Sequence, residues 1–530
     1  MSIAGLRFQP LTLGTNKLAA DYLAGLEPAT SFLGGCHDDQ SRLKELAATV
    51  DKRLDRNRAA EVLAGQRSFP LIENGRNLLD SFVEYKGFCV VTGQQPVLFG
   101  GPLYVLYKCI SVLQAAREYE SLLGRPVLPV FWTASEDHDL AEASSVAMPG
   151  LDNEPETLGL PVANGNYRPL CQIALGDKLG EVRELLEKIT PDTEFRPELF
   201  SILDEAYTER CDFGHAFSEF IVRLFASRGL FVVDACSPEL RKGATRLMEQ
   251  EIFDSSSSAG LFEETSVRID QAGYRVQVRS QENDTGLFVL SDGRRVKLQR
   301  DSDQYSLKGV GDKLSGEELR QMLQTTPEVF SPGVRVRPLV EAELFGTLCY
   351  LAGPGEIAYY AQLRPLYGLR GLQMPVIRPR LSGVLLEARI EKVLDKYGIT
   401  AETLEQGVEH TAQEFLQGDK QWLALTAELE SLRTAMEQGF ARVGDHLAGI
   451  DPTMSGPLAK TRSTVNVNLD KLRGKFSQAV RRRDETMLSQ LGKAGNHLWP
   501  RGGRQERETS WLYYLVRYGE PMIDWFLEQV

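Results

Sequence analysis

The sequence predicts an α/β fold: a Rossmann-type parallel-sheet core with inserted connecting segments, one of them β-rich, plus an α-helical antiparallel coiled-coil domain. Apolar runs at 88–92 and 126–133 flank a helical pattern that begins near Leu103. This strand–helix–strand pattern predicts a parallel βαβ unit, because two parallel strands need a long connection between them. From about residue 385, apolar residues recur in steps of three and four, as in coiled coils. Further core strands are predicted at 230–233, 348–351 and 374–379.

Chain length and composition limit the class of protein. A length of 530 residues suggests two to four domains. The net charge of −13 argues against non-specific nucleic-acid binding, which needs clustered positive charge. The N-terminus lacks the layout of a secretory signal, and no apolar run reaches 18 residues. We therefore expect a cytoplasmic protein with no membrane and no nucleic-acid partner.

The chain divides into three predicted regions. Residues 1–384 form the core, with insertions at about 145–225 (helical) and 266–333 (β-rich). The β-rich prediction rests on alternating apolar residues from Val267 and Ile269 onward, and on the turn signal Asp292-Gly293. Residues 385–498 form the helical coiled-coil domain, and residues 499–530 pack back on the core.

Two apolar seams define the predicted coiled coil, and Asp451-Pro452 separates them, so an antiparallel hairpin is the simplest arrangement. A hairpin leaves apolar surface that a second subunit could cover, and we expect a homodimer through this domain. The first seam is Leu425, Leu429, Leu432, Met436, Phe440, Val443, Leu447 and Ile450, and the second is Leu469, Leu472, Phe476 and Val480.

The seven cysteines are scattered and never form a CxxC pair. This is typical of reduced cytosolic thiols rather than a disulfide framework. None of the six histidines lies at metal-ligand spacing from a cysteine, apart from the adjacent pair Cys36-His37, which we interpret as an incidental loop dipeptide. No structural zinc or other structural metal is expected.

The segment TGQQ follows the first strand of the βαβ unit, at the strand end where ligands of parallel sheets lie. The glycines allow close approach of a ligand, and free N–H groups at the following helix start would favour an anion. Lys108, about two turns into the helix, is either structural or reaches back toward the site. The candidate substrate- or nucleotide-binding residues are Thr92, Gly93, Gln94, Gln95, Gly100, Gly101, Tyr104 and Lys108.

The segment SEDHD follows the second strand and concentrates three carboxylates with an imidazole. Clustered carboxylates raise one another's pKa and histidine titrates near neutrality, so Glu136, Asp137 and His138 are the catalytic candidates. Ser135 and Asp139 are candidate binding residues. The cluster could instead bind a substrate ammonium or a divalent ion such as magnesium. A third reading is a solvated loop in which Asp137 caps the next helix.

Two later strand ends carry further candidates. At the GPGE turn, Gly353, Gly355, Glu356 and Tyr359 could line a substrate pocket, although Glu356 also suits the first turn of a helix for electrostatic reasons alone. Arg380 and Ser382 end another core strand and could contact an anion. The arginines near residues 501–507 could bind phosphate or carboxylates, or form salt bridges between subunits.

Four segments taken together resemble one known family, the bacillithiol biosynthesis cysteine-adding enzymes, BshC, described as cysteine ligases. The resemblance covers almost the whole chain. It implies a cytoplasmic bacterial protein that joins L-cysteine to glucosaminyl-malate, with a Rossmann-type core, a coiled-coil domain and homodimerisation. The segments are TGQQPVLFGGPLYVLYK (92–108), PVFWTASEDHD (129–139), GPGEIAYYAQL (353–363) and GGRQERE (502–508).

The implied reaction needs an activated acyl group, because a carboxylate is a poor electrophile, and ATP is the expected activating agent, giving ADP or AMP. The family core is similar to class I aminoacyl-tRNA synthetases and nucleotidylyltransferases. This chain has no HIGH tetrapeptide, however, and its segment RLSG (380–383) lacks the lysines of KMSKS. Two alternatives stay open: a sugar nucleotidyltransferase, and a nucleotide- or thiol-binding regulatory scaffold without catalysis.

Overall fold

The computed structural model describes residues 3, 5–14, 16–162, 168–281, 283–310, 313–411 and 420–529. The chain forms two compact units, Met1–Leu385 with Gln505–Val530, and Leu386–Arg504. The first unit contains a parallel sheet and smaller antiparallel sheets, and the second is helical. The predicted fold class, a Rossmann-type core plus a helical coiled-coil domain, is therefore confirmed.

Five parallel strands form the central sheet in the spatial order β13-β12-β2-β3-β6. Counted along the chain, the order is 5-4-1-2-3, so the direction of winding reverses between β2 and β12. This reversal is the topological switch point, beside which ligands of open α/β sheets lie. The strands are β2 (Phe88–Gln94), β3 (Val127–Thr133), β6 (Phe231–Asp234), β12 (Thr347–Ala352) and β13 (Val376–Pro379).

These strands are buried on both faces, which explains why they read as continuous apolar runs. Helix α6 (Leu103–Leu123) makes the crossover from β2 to β3, and most of its side chains are buried. Because β2 and β3 are hydrogen-bonded neighbours, the predicted parallel βαβ unit is confirmed. The strands predicted near 230, 348 and 374 are confirmed as β6, β12 and β13.

A β-rich insertion lies between β6 and β12, as a five-stranded antiparallel sheet in the order β10-β9-β8-β7-β11. Asp292 and Gly293 have positive φ angles of 50° and 73° in the turn between β7 and β8, as predicted. The predicted strand at Val267 and Ile269 is wrong, because α12 (Ser255–Gln271) continues through both. The strands are β7 (Asp284–Ser291), β8 (Arg294–Asp301), β9 (Gln304–Leu307), β10 (Lys313–Ser315) and β11 (Phe330–Pro332).

The earlier insertion, predicted to be helical over 145–225, begins instead with an antiparallel hairpin of β4 (Ser145–Pro149) and β5 (Pro155–Gly159). Three helices follow it, α8 (Leu179–Ile189), α9 (Arg196–Ala206) and α10 (Phe213–Phe225). The prediction is therefore correct only for the second part of the segment. Strand β1 (Leu6–Pro10) opens the chain, and β14 (Gly383–Glu387) follows β13.

The remaining helices of the first unit surround the sheets and complete the core. They are α1 (Lys17–Leu23), α2 (Ala29–Phe32), α3 (Gln40–Asp51), α4 (Arg56–Ala64), α5 (Gly75–Glu84), α7 (Leu140–Ala143), α11 (Pro238–Phe253), α13 (Gly316–Thr325), α14 (Arg337–Phe345), α15 (Pro354–Tyr360) and α16 (Arg364–Leu369). The C-terminal segment adds α20 (Gln505–Glu508), α21 (Leu512–Tyr518) and α22 (Pro521–Gln529) to the same unit.

The second unit consists of α17 (Ala388–Tyr397) and a hairpin of α18 (Lys420–Ala448) and α19 (Ser455–Leu498). Partners along the hairpin run in opposite directions, so it is antiparallel, as predicted. Its ion pairs join Glu430 to Arg473, Arg433 to Asp470 and Glu437 to Arg462.

The seams of this hairpin differ in part from the prediction. Leu425, Leu429, Met436, Phe440 and Leu447 are half-buried, as are Leu469 and Phe476. Leu432, Val443 and Leu472 lie off the seam and are exposed, and Ile450 lies beyond the end of α18. The side chain of Val480 lies outside the described residues. Seven of the eleven predicted seam positions with described side chains are therefore half-buried, as a seam requires.

The structure joins Cys171 and Cys236 in a disulfide, with 6.6 Å between their Cα atoms. The expectation that all cysteines are unpaired thiols is therefore wrong for this pair, which brings together two segments far apart in sequence. Within the described residues, every helix is too short or too polar to serve as a membrane-spanning segment.

Candidate functional site

The two polar strand ends predicted from the sequence lie side by side. Gln94 at the end of β2 is in register with Thr133 at the end of β3, and the Ala134 N–H donates to the Gln94 carbonyl over 2.9 Å. The buried Thr92 hydroxyl donates to the Leu351 carbonyl over 2.9 Å and so ties β2 to β12. TGQQ and SEDHD therefore share one edge of the sheet.

Lys108 reaches back from α6 to the end of β2, one of the two roles considered for it. Its ammonium donates to the Gly93 carbonyl and, over 3.2 Å, to Gln94 Oε1. It also pairs with Glu356 Oε2 at 2.7 Å. The side chain is 2% exposed, and burial lowers its pKa although Glu356 opposes this. All three donor positions of the ammonium are thus occupied.

Glu356 is the other half of this pair and caps α15. Its Oε2 accepts from the Gly353 N–H at 2.7 Å, and its Oε1 accepts from the Tyr350 hydroxyl at 2.7 Å. Burial raises the pKa of Glu356, but Lys108 and these hydrogen bonds outweigh it and hold the pKa below its ordinary value. We call Gly93, Gln94, Lys108, Tyr350, Gly353 and Glu356 the switch-point cluster.

The two other residues predicted near the GPGE turn, Gly355 and Tyr359, lie against other side chains of the protein. Gly355 follows Pro354 in the first turn of α15, and a Cβ there would meet only the Gln277 side chain, at 3.7 Å. The Tyr359 hydroxyl is buried and accepts a hydrogen bond from Arg337. Tyr359 therefore packs inside the core with Arg337.

At the start of α6, two of the N–H groups in the region predicted to hold an anion are already hydrogen-bonded. The Gly100 N–H donates to the Tyr207 hydroxyl at 2.9 Å, and the Leu103 N–H donates to the Thr509 carbonyl at 2.8 Å. Gly100 and Gly101 have positive φ angles of 81° and 78°, and a Cβ on Gly100 would meet Trp511 at 2.6 Å. These glycines therefore serve backbone geometry and close packing.

Arg380 already contacts an anionic group, which belongs to the chain itself. Its guanidinium makes two hydrogen bonds with Glu506, of 3.0 and 3.2 Å, and lies 5.5 Å from the centroid of the Tyr104 ring. Burial raises the pKa of Tyr104 above its ordinary value. Ser382 is buried, and its carbonyl accepts from the Leu11 N–H at 2.9 Å. An external anion would therefore have to compete with the Glu506 carboxylate for Arg380.

The SEDHD segment makes a tight turn after β3. The buried Ser135 hydroxyl donates to the Asp234 carboxylate at the end of β6. Asp137 and His138 are both 41% exposed, with 3.5 Å between the His138 Nδ1 and an Asp137 oxygen. Asp139, not Asp137, caps the next helix, because its carboxylate accepts from the Glu142 N–H at 3.1 Å.

Gln95, the residue after β2, and Glu142 of α7 also lie near this turn. Gln95 is buried. Burial raises the pKa of Glu142, and the nearby Asp139 and Asp137 carboxylates raise it further. The sequence predicted that the carboxylates of SEDHD raise one another's pKa. In the structure, two of them, Asp137 and Asp139, raise the pKa of Glu142.

Glu136 points away from this exposed turn, into a cavity of about 580 Å³ beyond the ends of β3 and β6. It is 4% exposed, and its Oε2 has no hydrogen-bond partner among the described residues. Burial raises the pKa of Glu136, against the opposing effects of Arg241 and Arg295. A buried carboxyl group with a raised pKa can exchange a proton near neutral pH. We call this space the Glu136 cavity.

Sequence reasoning missed most of the groups that line the Glu136 cavity with Glu136 itself. Arg241 comes from α11 and Arg295 from β8, both far from β3 in sequence. Arg241 shares a helix face with the buried Ala244 and Met248. An arginine on an apolar helix face was the one available signal. The other titratable groups that line the cavity are Arg67, Asp212, His215, Asp234, Glu239 and Glu328.

The electrostatics of these groups also depends on burial. Burial raises the pKa of both Asp212 and Asp234. It lowers the pKa of His215, whose Nε2 lies 3.1 Å from a Glu219 oxygen. Across the described ranges, no group of three or more His, Cys, Asp or Glu side chains is arranged to hold a metal ion. With carboxyl, guanidinium and imidazole groups in its lining, the cavity is suited to binding organic polar groups and to proton transfer.

Comparisons with known proteins agree with this architecture. The family model for the "Bacillithiol biosynthesis BshC, N-terminal Rossmann-like domain" matches residues 1–381, and the model for the "Bacillithiol biosynthesis BshC, C-terminal coiled-coil domain" matches residues 383–530. The boundary between the two matches falls close to the boundary between the two compact units.

Individual relatives match over nearly the whole chain, and each carries the name "Putative cysteine ligase BshC". A protein of Salinibacter ruber is 31% identical, over 98% of this chain and 95% of its own length. A protein of Chlorobaculum tepidum is 30% identical, over 96% and 94%. A protein of Geobacillus thermodenitrificans is 29% identical, over 96% and 95%. The resemblance drawn from the motifs is confirmed: the chain belongs to the bacillithiol biosynthesis BshC family.

Proposed function

We propose that this protein is a cysteine ligase that joins L-cysteine to glucosaminyl-malate by an amide bond. The observation that carries the proposal is the buried Glu136 carboxyl just after core strand β3, whose Oε2 has no hydrogen-bond partner in the described part of the chain. Burial raises its pKa, as a general base for an amine requires. Family membership supports the substrates, since relatives are named for cysteine ligation.

The reaction needs an activated cysteine, because a free carboxylate is a poor electrophile. ATP would transfer a phosphoryl or adenylyl group to the cysteine carboxylate and release ADP or pyrophosphate. The amine of glucosaminyl-malate would then attack the acyl carbon and form the C–N bond, while phosphate or AMP leaves. The amine loses a proton in this step, and Glu136 accepts it.

The exposed residues of the same turn have supporting roles in this proposal. His138 would relay the proton from the cavity to solvent, since it lies on the exposed side of the turn next to Asp137. Asp137 would orient the incoming amino group. Ser135 would hold Asp234 at the end of β6, and Asp139 would fix the turn by capping α7.

We propose that the nucleotide binds at the switch point between β2 and β12, since ligands of doubly wound sheets commonly bind there. No phosphate is assigned to the start of α6, where the Gly100 and Leu103 N–H groups are occupied. Magnesium would enter with the ATP phosphates, as Mg²⁺ usually does. A cytoplasmic location follows from ATP and reduced cysteine as substrates.

The test is a reconstituted reaction of purified protein with ATP, magnesium, L-cysteine and glucosaminyl-malate. Mass spectrometry should detect the amide product, and formation of AMP or ADP beyond one equivalent per enzyme should need both cysteine and the acceptor. Pyrophosphate release without cysteine consumption would instead support a sugar nucleotidyltransferase. Binding of ATP and cysteine without turnover would support a regulatory scaffold.

A homodimer through the coiled-coil hairpin is the second part of the proposal. Leu432, Val443, Val467 and Leu472 are large apolar side chains that are exposed on the two helices. A second copy could cover them. Light scattering should give the mass of a dimer for the natural chain and of a monomer for Leu432→Glu combined with Leu472→Glu. A mass that stays constant in this variant would contradict the proposed interface.

A further inference from the structure

The Glu136 cavity contains buried cationic groups that the proposed proton transfer does not use. The Arg241 side chain is 2% exposed, and its Nε and Nη1 have no hydrogen-bond partner in the described ranges. Arg295 faces the same space from β8, where its Nε donates to the Ser331 hydroxyl at 2.9 Å. Arg295 is half-buried; its Nη2 donates to the Pro332 carbonyl at 2.9 Å, and its guanidinium lies 4.0 Å from the centroid of the Phe288 ring. Arg241 therefore carries the larger share of unsatisfied donors.

An unpaired buried guanidinium is costly, because the interior does not replace the hydrogen bonds and charge screening of water. Burial lowers the pKa of Arg241 to about 10, so the group is still charged at neutral pH. A buried, charged Arg241 guanidinium is reasonable here if a bound ligand supplies the anion that pairs with it. A carboxylate is the natural partner, since its two oxygens match the fork of an arginine.

An acidic group, Glu136, faces the same cavity and also has an unsatisfied oxygen. The Glu136 Oε2 has no hydrogen-bond partner within the described residues, and both arginines affect its pKa. Glu136 therefore lies near enough for the charges of Arg241 and Arg295 to affect it, although no ion pair joins it to either arginine in the described part of the chain. A ligand that carries an amine and a carboxylate would satisfy both sets of groups at once.

The size and the remaining lining select among such ligands. A volume of about 580 Å³ lies within the range of about 300–1,000 Å³ typical of small-molecule sites. An amino acid as small as cysteine would leave most of this space empty. The cavity also has hydroxyl and amide groups, from Ser68, Gln172 and Ser237, that could bind sugar hydroxyls.

We infer that the Glu136 cavity binds the amine acceptor, an amino sugar that bears a carboxylate group, with Arg241 and Arg295 on the carboxylate and Glu136 on the amine. This inference rests on the proposed function for the identity of the acceptor, glucosaminyl-malate. It adds the residues that select that acceptor and separates its site from the switch point between β2 and β12.

The first test is calorimetry on the natural full-length protein and needs no variant. Glucosaminyl-malate should bind, and methyl glucosaminide, which has the amine but no carboxylate, should bind roughly 10- to 100-fold more weakly. Prior addition of cysteine should leave the affinity for glucosaminyl-malate unchanged. Equal affinities for the two sugars, or competition by cysteine, would overturn the inference.

The second test uses three variants of α11 and β8. Arg241→Gln and Arg295→Gln should each weaken glucosaminyl-malate binding roughly 10-fold or more while leaving methyl glucosaminide binding unchanged. Lys242→Gln is the matched control, because it removes one positive charge from an exposed position next to Arg241. A loss of affinity for both sugars alike, or an equal loss in the control, would contradict the assignment.

Arg241→Lys is a milder change than Arg241→Gln, because it keeps the positive charge and removes only the forked guanidinium. Thermal melting shows whether each variant folds.

Failure of this inference and failure of the proposed function give different results. If the natural protein binds glucosaminyl-malate through Arg241 but makes no amide, only the ligase proposal fails. If it makes the amide and Arg241→Lys and Arg295→Gln keep the KM for the acceptor, only this inference fails.

Discussion

The switch-point cluster and the Glu136 cavity lie at the same edge of one sheet, but they treat buried charge in opposite ways. In the switch-point cluster, the Lys108 ammonium has three acceptors and Glu356 has three donors. In the cavity, Glu136 and Arg241 each keep atoms without a hydrogen-bond partner among the described residues. The difference suggests that the first set of charges is structural and the second is completed by a ligand.

This contrast is informative because burial disfavours the charged form in both sets of groups. Pairing and hydrogen bonding offset that penalty inside the protein only in the switch-point cluster. A group that folding leaves uncompensated is costly unless binding or catalysis uses it. The four predictions below test whether the two regions differ in this way.

The largest effect is expected at the proposed base. Glu136→Gln keeps the shape of the side chain but cannot accept a proton, and general-base catalysis contributes typically about 100- to 10,000-fold. We expect kcat to fall by that order in the amide-forming assay. The matched control is Glu249→Gln, an exposed residue of α11 in a surface ion pair, which should change kcat less than about 2-fold. Equal losses in both variants would remove the distinction between cavity and surface.

The second prediction concerns stability at the switch-point cluster. Lys108→Met leaves Glu356 buried without its cation, and breaking a buried pair from one side costs about 3–5 kcal/mol. Urea unfolding should show this loss in the free energy of unfolding. The double variant Lys108→Met with Glu356→Gln should recover part of it, because no unpaired charge remains. Strict additivity of the two single losses would show that the pair is not coupled.

The third prediction is a pH dependence with a definite sign. The pKa of Glu356 is lower in the folded protein than its ordinary value, so the folded state binds a proton less readily than the unfolded state. Its contribution to stability is therefore present above the unfolded pKa, about 4.3, and is lost as pH falls through the folded pKa. The difference in unfolding free energy between the natural chain and Glu356→Gln should shrink between pH 6 and pH 3. A constant difference would contradict it.

The smallest effect is expected at the helix cap of the SEDHD turn. Asp139→Ala removes the acceptor for the Glu142 N–H and should cost about 1 kcal/mol of stability. Asp137→Ala changes an exposed residue that does not cap α7, and should cost less. Thermal melting of the two variants checks this order. The reverse order would restore the cap to Asp137.

The sequence predicted a good part of this edge of the sheet. The apolar runs of β2 and β3, separated by a long helix, were sufficient to place TGQQ next to SEDHD. Lys108 was recognised as a residue that could reach back to the strand end. The prediction of free N–H groups at the start of α6 does not hold for Gly100 and Leu103, because Tyr207 and Thr509 come from distant segments and accept hydrogen bonds from them. Local patterns contain no information about such partners.

The Glu136 cavity shows the same limit more clearly. Glu136 was a candidate because of its neighbours in sequence, yet its turn exposes Asp137 and His138 and buries Glu136. Arg241 and Arg295 were not candidates, since an α-helix and a β-hairpin deliver them from positions about 100 and 160 residues away. The coiled-coil seams were predicted only in part. Leu432 and Val443 are exposed, one residue away from the positions that face the other helix of the hairpin.

The sequence by itself determined the βαβ unit and the other core strands, the parallel sheet, the helical hairpin and the polar ends of the core strands. These features follow from local hydrophobic periodicity and from the few ways in which a βαβ unit can fold. Only the tertiary structure decided which charges are paired and which are left for a ligand. The reason is physical: desolvation and Coulomb energies depend on distances in space, and those distances join residues that the sequence keeps far apart.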